Sequence, residues 1–250
     1  GANVMGLIRD WLRGALPLHL RQSVAQGVRR VKDARRRILW ASDYNTDVSD
    51  LIVHAEITQP IMPGVMFENK LANIKLSASR VNGAAIKPRQ TWSFWRYAQR
   101  PSLATGYVAG RNLVNGKLIL QAGGGLCQLS SLIYHLGLLA GLRIEERHAH
   151  SIDIYQEHER FTPLGADATV VWGYKDLRMS NPHATEIVFE CWVHDNRLTG
   201  RVCTHAPMPK SEVVFVKEQV DTNRALIRTM VNGELHNETA YMQRQGMGLS

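Results

Sequence analysis

Hydrophobic and polar positions follow a helical period at the start of the chain. Apolar side chains recur every three or four residues on both sides of Pro17, which predicts two amphipathic helices before residue 40. One stripe of the second helix carries the aliphatic residues Leu20, Val24, Val28 and Val31. A further helix is predicted over residues 68–83, where the same spacing ends at Asn82-Gly83, a common helix stop.

A longer apolar segment lies at the centre of the chain. Residues 126–140 are hydrophobic almost all round, which predicts about four turns of buried helix ending at Gly141. Three glycines at 123–125 precede this helix, after a strand predicted over Leu118–Leu120 and a hairpin predicted around Asn115-Gly116. The pattern therefore places a glycine loop directly before a buried helix.

The second half of the chain alternates short apolar segments with turn residues. This pattern predicts strands over 142–147, 167–174, 185–193, 198–206, 211–220 and 225–231. The predicted class is α+β, with the central helix packed on a mostly antiparallel sheet and a basic helical extension at the N-terminus.

The chain has 250 residues and a formal net charge of +8, which is unevenly distributed. Residues 1–40 hold nine lysines and arginines against two aspartates, so the other 210 residues are close to neutral. We therefore divide the chain into a basic amphipathic extension, residues 1–42, and a domain over residues 43–250.

The basic extension has two main interpretations. An aliphatic stripe flanked by cations is typical of a helix that lies on an anionic membrane surface, which makes residues 5–40 a candidate membrane contact. Alternatively, the stripe packs on the domain and the charged face is solvated. We expect no nucleic-acid partner, because no aromatic-lined basic groove or zinc-finger spacing accompanies the charge.

The cysteine content is evidence on the cellular compartment of the protein. Cys127, Cys191 and Cys203 are an odd and sparse set, which favours a reducing environment over a disulfide framework. No apolar run reaches the roughly 18 to 20 residues of a membrane span, and no secretory signal pattern is present. We expect a cytoplasmic location or a peripheral one at the inner membrane face, with export as the alternative.

Cys127 is the strongest candidate for chemistry. It follows three glycines at the predicted start of the central helix, where unpaired N–H groups and the helix dipole favour a thiolate. Glycines allow close approach of a substrate, and the N–H groups of Leu126 and Cys127 are candidate oxyanion donors. The alternative is a small buried hydrophobic residue after an ordinary turn.

A base for this thiol is expected at the end of the predicted strand over residues 142–147. Alternation along a strand puts His148 and His150 on one face, and a strand returning from the far end of the helix brings that face towards Cys127. We choose His150 as the base, oriented by Asp167 or Asp176. The alternative is that both are ordinary surface histidines in a chain that has ten.

The predicted site has three catalytic residues, Cys127, His150 and Asp167. A second group, expected to hold the substrate or oxyanion, comprises Gly124, Gly125, Leu126, Gln128, His148 and Ser151. A zinc site from Cys127 and the two histidines is a weaker hypothesis, because no paired zinc-binding motif accompanies them. We expect neither a metal nor a cofactor.

Several motifs of the sequence together resemble the VanW family, and their order and spacing match from about residue 70 to 190. The motifs are Lys87-Pro88, Trp92-Ser93-Phe94-Trp95, Gly106-Tyr107, Gly123-Gly124-Gly125-Leu126-Cys127-Gln128, Tyr134, Glu146-Arg147-His148-Ala149-His150-Ser151, Gly165-Ala166-Asp167-Ala168-Thr169-Val170 and Asp176-Leu177. The resemblance is to the short, leaderless members. Arg89 and Gln90 depart from the usual Gly-Glu of the family, and Ala149 from a common proline.

The resemblance implies a role in the cell wall. VanW domains of some large cell-wall proteins are linked to L,D-transpeptidation of peptidoglycan stem peptides through the motif cysteine, which implies Cys127 as nucleophile and His150 as general base. The expected function is therefore a cysteine-dependent acyl transferase acting on stem peptides. The alternative is a non-catalytic module that binds cell-wall precursors, or a partner protein, in glycopeptide resistance or envelope stress.

Overall fold

The computed structural model describes residues 14–114, 117–153 and 160–243. The helices are α1 (Leu18–Arg36), α2 (Phe67–Val81), α3 (Phe94–Ala98) and α4 (Leu126–Leu139), with a 3₁₀ turn at Leu103–Thr105. The predicted helices at 68–83 and 126–140 are confirmed as α2 and α4. The helix predicted before Pro17 lies mostly outside the described residues.

Fourteen strands are present in the described part of the chain. They are β1 (Asp43–Tyr44), β2 (Ile52–Pro60), β3 (Ala84–Ile86), β4 (Thr91–Ser93), β5 (Ala109–Val114), β6 (Lys117–Ala122), β7 (Arg143–Glu146), β8 (Ile152–Asp153), β9 (Arg178–Ser180), β10 (Ile187–His194), β11 (Arg197–Thr204), β12 (Val213–Asp221), β13 (Arg224–Val231) and β14 (Glu234–Gln243).

The strands form four sheets. Their orders are β1-β3-β10-β11-β2, β12-β13-β14-β8, β4-β9-β7 and β5-β6. Apart from the parallel pair of β14 and β8, the strand pairs in the described residues are antiparallel. The predicted α+β class with mostly antiparallel sheets is confirmed.

Most strand predictions match the structure. Strands β6, β7 and β10 to β13 lie where the pattern placed them, and β5 pairs with β6 as the predicted hairpin requires, although its turn at 115–116 lies outside the described residues. The strand predicted over 167–174 is wrong. Instead, a bridge between Val171 and Lys175 closes a tight turn, and the buried residues before it, Ala168 to Val170, lie outside any strand.

The central helix α4 packs at the middle of the hydrophobic core. Leu129, Leu132 and Leu136 are fully buried on it. Gly200 of β11 makes the close approach possible, because a Cβ atom there would lie 2.8 Å from Leu132 Cδ2 and 2.9 Å from Leu136 Cδ1. The helix is therefore held directly against the five-stranded sheet.

Helix α1 contacts the rest of the protein through polar side chains. Arg178 donates to both carboxylate oxygens of Asp33, at 2.8 and 2.9 Å, and Arg29 forms an ion pair with Glu146. None of the helix residues is buried, and the aliphatic stripe faces outward. The alternative in which this stripe packs on the domain is therefore wrong.

The glycine loop before α4 is fixed by backbone packing. Gly110 and Gly124 lie against each other, so that a Cβ on Gly110 would be 2.9 Å from Gly124 Cα. The buried side chain of Asn73 donates to the carbonyl oxygens of Gly124, at 3.0 Å, and Val108, at 2.9 Å. These contacts set the position at which α4 begins.

We predict that Gly124→Ala destabilises the protein by about 1–3 kcal/mol, because the new methyl group overlaps the backbone of Gly110. Gly64→Ala is the matched control, since no atom lies within 4 Å of a Cβ there, and it is expected to change stability by less than about 1 kcal/mol. The measurement is the midpoint of urea unfolding at unchanged slope. Equal midpoints for the two variants would contradict the packing of Gly124 on Gly110.

Candidate active site

Cys127 is the second residue of α4. The helix begins after Gly125, whose φ of +97° is a conformation that glycine adopts easily. The thiol is half-buried, and its sulfur lies 3.5 Å from the hydroxyl of Thr169 and contacts the backbone of Val170. The unpaired N–H groups at this helix end favour negative charge on the sulfur.

The imidazole of His150 interacts with the thiol from a segment that follows β7. On the other side of the ring, His150 Nδ1 lies 2.8 Å from Asp167 Oδ2. The backbone N–H of His150 donates to the same oxygen at 2.7 Å. The structure therefore brings Cys127, His150 and Asp167 together in one array, as a nucleophile, base and orienting acid would be.

Asp167 is held by two further side chains. Tyr241 of β14 donates its hydroxyl to Asp167 Oδ1, and Arg147 Nη2 lies 3.5 Å from the same oxygen. Arg147 also donates to the carbonyl oxygens of Asp167, at 2.8 Å, and Gly165, at 2.9 Å. Its guanidinium packs over the ring of Tyr134, 4.8 Å from the centroid. The contacts with Tyr241 and Arg147 fix the position of the Asp167 carboxylate independently of His150.

The electrostatics of the array favour a charged pair. Burial alone would raise the pKa of Cys127, but the hydrogen bond and charge of His150 lower it below the ordinary value. Burial disfavours charge on His150, yet its bonds to Asp167 and Cys127 raise its pKa to about 10. Both shifts favour the charged form of the pair, thiolate and imidazolium, over the neutral form.

The Asp167 carboxylate has a lowered pKa. Burial would raise its pKa, but His150, Arg147 and Tyr241 together lower it to about 2. It is therefore ionised from about pH 2 upwards, and between that pH and about pH 10 it stabilises the imidazolium of His150. By contrast, burial raises the pKa of Cys191, and of Cys203 to about 12. Of the three thiols, Cys127 is the one whose pKa is lowered.

His148 and Asp176 lie in a different cluster. His148 Nε2 is 3.0 Å from Glu146 Oε1, whereas Asp176 accepts hydrogen bonds from Ser93 at 2.6 Å and Arg178 at 3.0 Å. The expectation that His148 and His150 share a strand face is wrong, because β7 ends at Glu146 and the alternation does not continue. Of the two aspartates considered, Asp167 is the one that contacts His150.

The other residues expected to hold substrate are largely occupied by the protein. Gly124 is packed on Gly110, Leu126 is in the core, and Gln128 donates to the carbonyl oxygen of Pro60 at 3.0 Å. A Cβ on Gly125 would meet the side chain of Lys70, and the backbone carbonyl of exposed Ser151 accepts from Met242 at 3.0 Å. The glycines thus serve packing, and the candidate oxyanion donors are backbone N–H groups.

Sequence reasoning missed three side chains around the array. Tyr241 lies about ninety positions beyond His150 in a strand that the pattern did not predict, so no local signal pointed to it. Thr169 falls in the segment wrongly assigned to a strand, and Arg147 was part of a motif but was given no role. Within the described residues, no cluster of three His, Cys, Asp or Glu side chains is arranged to bind a metal ion.

A separate cleft of about 430 Å³ opens between α1 and the domain. It is lined by the rings of Tyr44, Trp95 and Trp172 and by several cationic side chains, among them Arg30, Arg96 and Lys175. These three cations have no carboxylate partner in the part of the chain that the structure describes, whereas Arg29 and Arg178 on the same wall are paired. The cleft therefore has an excess of positive charge beside flat aromatic surfaces.

Comparison with known proteins gives a consistent match. The family described as VanW like protein matches residues 69–203, a range that contains Cys127, His150 and Asp167. The chain is 37% identical over 137 residues to the vancomycin B-type resistance protein VanW of Enterococcus faecalis (strain ATCC 700802 / V583), covering 54% of this chain and 49% of that protein.

A second relative is the uncharacterized protein YoaR of Bacillus subtilis (strain 168). It is 32% identical over 145 residues, covering 56% of this chain and 46% of that protein. The chain thus spans about half the length of the curated relatives it matches. No solved structure matches it.

The charged pair predicts how Cys127 reacts with iodoacetamide as pH is varied. In His150→Ala, the hydrogen bond and charge that lower the pKa of Cys127 are lost, while burial still raises it. We therefore expect the midpoint of Cys127 reactivity to rise by about one pH unit or more. Asp167→Asn should raise this midpoint less. The imidazole is still present, but without the carboxylate its pKa falls, so it loses its charge at a lower pH. His148→Ala is the control, since it contacts Glu146, and should leave the profile unchanged.

The measurement is the alkylation rate of Cys127 against pH for the four proteins, with the unfolded chain as reference for a free thiol. Cys191 and Cys203 are buried and should not interfere. A native midpoint near that of the unfolded chain, unchanged in both variants of the array, would show that the pair does not form.

Proposed function

The chain belongs to the VanW family, and we propose that it is a cysteine-dependent acyl transferase acting on peptidoglycan stem peptides. The observation that carries this proposal is the contact of Cys127, His150 and Asp167 at the start of α4, with the pKa of the thiol lowered. Covalent acyl transfer uses a nucleophile, a base that contacts it and a carboxylate that orients the base.

In the proposed first step, the Cys127 thiolate attacks a carbonyl carbon of the donor peptide. The N–H groups at the start of α4, on Leu126 and Cys127, donate to the oxygen that becomes negative. The peptide C–N bond then breaks, the leaving amine takes the proton of the His150 imidazolium, and a thioester with Cys127 remains. Asp167 holds the ring in place through both protonation states.

In the second step an acceptor amine attacks the thioester carbonyl. His150 now takes the proton of that amine, the sulfur leaves as thiolate, and the original ion pair is restored. Water in place of the amine gives hydrolysis. The name of the Enterococcus faecalis relative refers to vancomycin resistance, which supports a cell-wall substrate for this chain.

A second candidate function, a module that binds cell-wall precursors without chemistry, is favoured by the cleft beside α1. Its unpaired cations suit phosphate or carboxylate groups, and its indole rings suit sugar or nucleobase faces. The expected place of binding is then this cleft, because the glycine loop is filled by Gly110 and Lys70.

The enzymatic proposal predicts a covalent adduct. Incubation with synthetic stem peptides should add the mass of the donor acyl group to the wild-type protein, and peptide mapping should place it on Cys127. Cys127→Ser should give none, while Cys203→Ser, which alters a buried strand thiol, should react like wild type. An added acceptor amine should discharge the adduct. A fast-alkylating Cys127 that forms no adduct with any donor would overturn the proposal.

The binding alternative predicts saturable binding of a nucleotide-linked muropeptide precursor to Cys127→Ser, measured by titration calorimetry. Lys175→Gln should weaken this binding about fivefold or more, the usual worth of one charge-assisted contact. Lys217→Gln, on the exposed strand β12, is the control for lost charge and should bind like the parent. Equal affinities for the two lysine variants would remove the cleft from consideration.

A further inference from the structure

Helix α1 is inverted relative to an ordinary surface helix. Such a helix buries its apolar stripe and exposes its charged face. Here the face towards the domain is polar, with Gln22, Arg29 and Asp33, and the face towards the outside is aliphatic. A stripe that the fold does not use needs another explanation.

The outward stripe is both continuous and well exposed. Leu20 is 43% exposed, Val24 61%, Val28 50% and Val31 54%, at the spacing that aligns side chains along one side of a helix. In the part of the chain that the structure describes, none of the four is in the hydrophobic core or packed against it. The stripe is therefore free to enter another apolar environment.

Polar contacts fix the helix in this orientation. The ion pair of Asp33 with Arg178 is nearly buried, at 14% and 10% side-chain exposure. Arg29 pairs with Glu146 and also donates to the carbonyl oxygen of Tyr174 at 3.2 Å. Removing one partner of a buried pair is costly, so rotation of the helix to bury its stripe on the domain is opposed.

Cations border the stripe without partners. The exposed basic side chains outside the cleft are Lys32, Arg35, Arg36 and Arg37, none with an ion pair among the described residues. Asp33 is the single acidic residue of α1, and it is turned towards Arg178. The outer side of the helix thus combines aliphatic side chains with net positive charge.

We propose that the outer face of α1 docks the protein on an anionic membrane surface, with the helix lying in the plane of the headgroups. Aliphatic side chains enter the interface while the bordering cations meet anionic headgroups. A second copy of the chain is the other occupant to consider, but stripe-to-stripe packing would bring two sets of cations together. No helix in the described residues is both long and apolar enough to cross a membrane.

Docking through α1 would orient the candidate active site. Glu146 bonds both to Arg29 of α1 and to His148. His150 follows Glu146 by four residues in the same segment. The helix, its ion pairs and the segment that carries the base are therefore connected, so a docked α1 would hold this segment in one orientation relative to the lipid. This inference goes beyond the acyl-transfer proposal and does not depend on it.

The test is co-sedimentation of the full chain with vesicles of phosphatidylglycerol and phosphatidylcholine, compared with vesicles of phosphatidylcholine alone. Wild type should bind the anionic vesicles, and binding should fall as salt is raised. Val24→Glu/Val28→Glu should lower the partition constant by at least about tenfold. Val216→Glu/Val220→Glu is the matched control, on β12, where the two valines are 44% and 54% exposed, and it should bind like wild type.

A charge variant separately tests the attraction between the cations of α1 and the anionic headgroups. Lys32→Gln/Arg36→Gln should weaken binding to anionic vesicles by about fivefold for each charge removed. Iodoacetamide reactivity of Cys127 should be unchanged in all of these variants, which shows that they are folded and separates this test from that of acyl transfer. Absence of wild-type binding to anionic vesicles, or equal loss in both valine pairs, would overturn the proposal. So would a self-associated state that Val24→Glu/Val28→Glu dissociates.

Discussion

The carboxylate of Asp167 is the interaction on which the candidate active site depends. One of its oxygens accepts the backbone and side-chain N–H groups of His150, and the other accepts the Tyr241 hydroxyl and faces Arg147. A largely buried carboxylate is tolerated only when its lone pairs are satisfied, and here the donors come from two parts of the chain, residues 147–150 and Tyr241. The same bonds that fix it also keep it ionised, so it stabilises a cation on His150 beside the thiol.

Close backbone packing sets the other half of the array. Gly110 lies against Gly124 and Gly200 against α4, so the start of the central helix has little freedom to move. Cys127 is carried by that helix, while His150 and Asp167 are carried by segments that β14 holds through Tyr241. Two independent sets of contacts therefore converge on one thiol, which is the rigidity that covalent catalysis requires.

The family match and the structure divide the chain differently. The matched range, residues 69–203, includes all three residues of the array but neither Tyr241 nor α1. Tyr241 acts on the array through Asp167, and α1 is joined to the domain by ion pairs at Glu146 and Arg178. In this chain, therefore, segments outside the family's common region both support the site and give it an outward-facing apolar surface.

The sequence determined the elements whose signals are local. The periodicity of α2, the apolar run of α4 with its leading glycines, and the alternating segments of β10 to β13 are properties of neighbouring residues, and a cysteine at a helix start is visible without coordinates. Only the tertiary structure decided which aspartate meets His150, that His148 belongs elsewhere, that the glycines contact Gly110 and Lys70, and which face of α1 is turned outward. These outcomes depend on contacts between residues far apart in the chain. No local pattern encodes them, because ion pairs and backbone packing form only once distant segments meet.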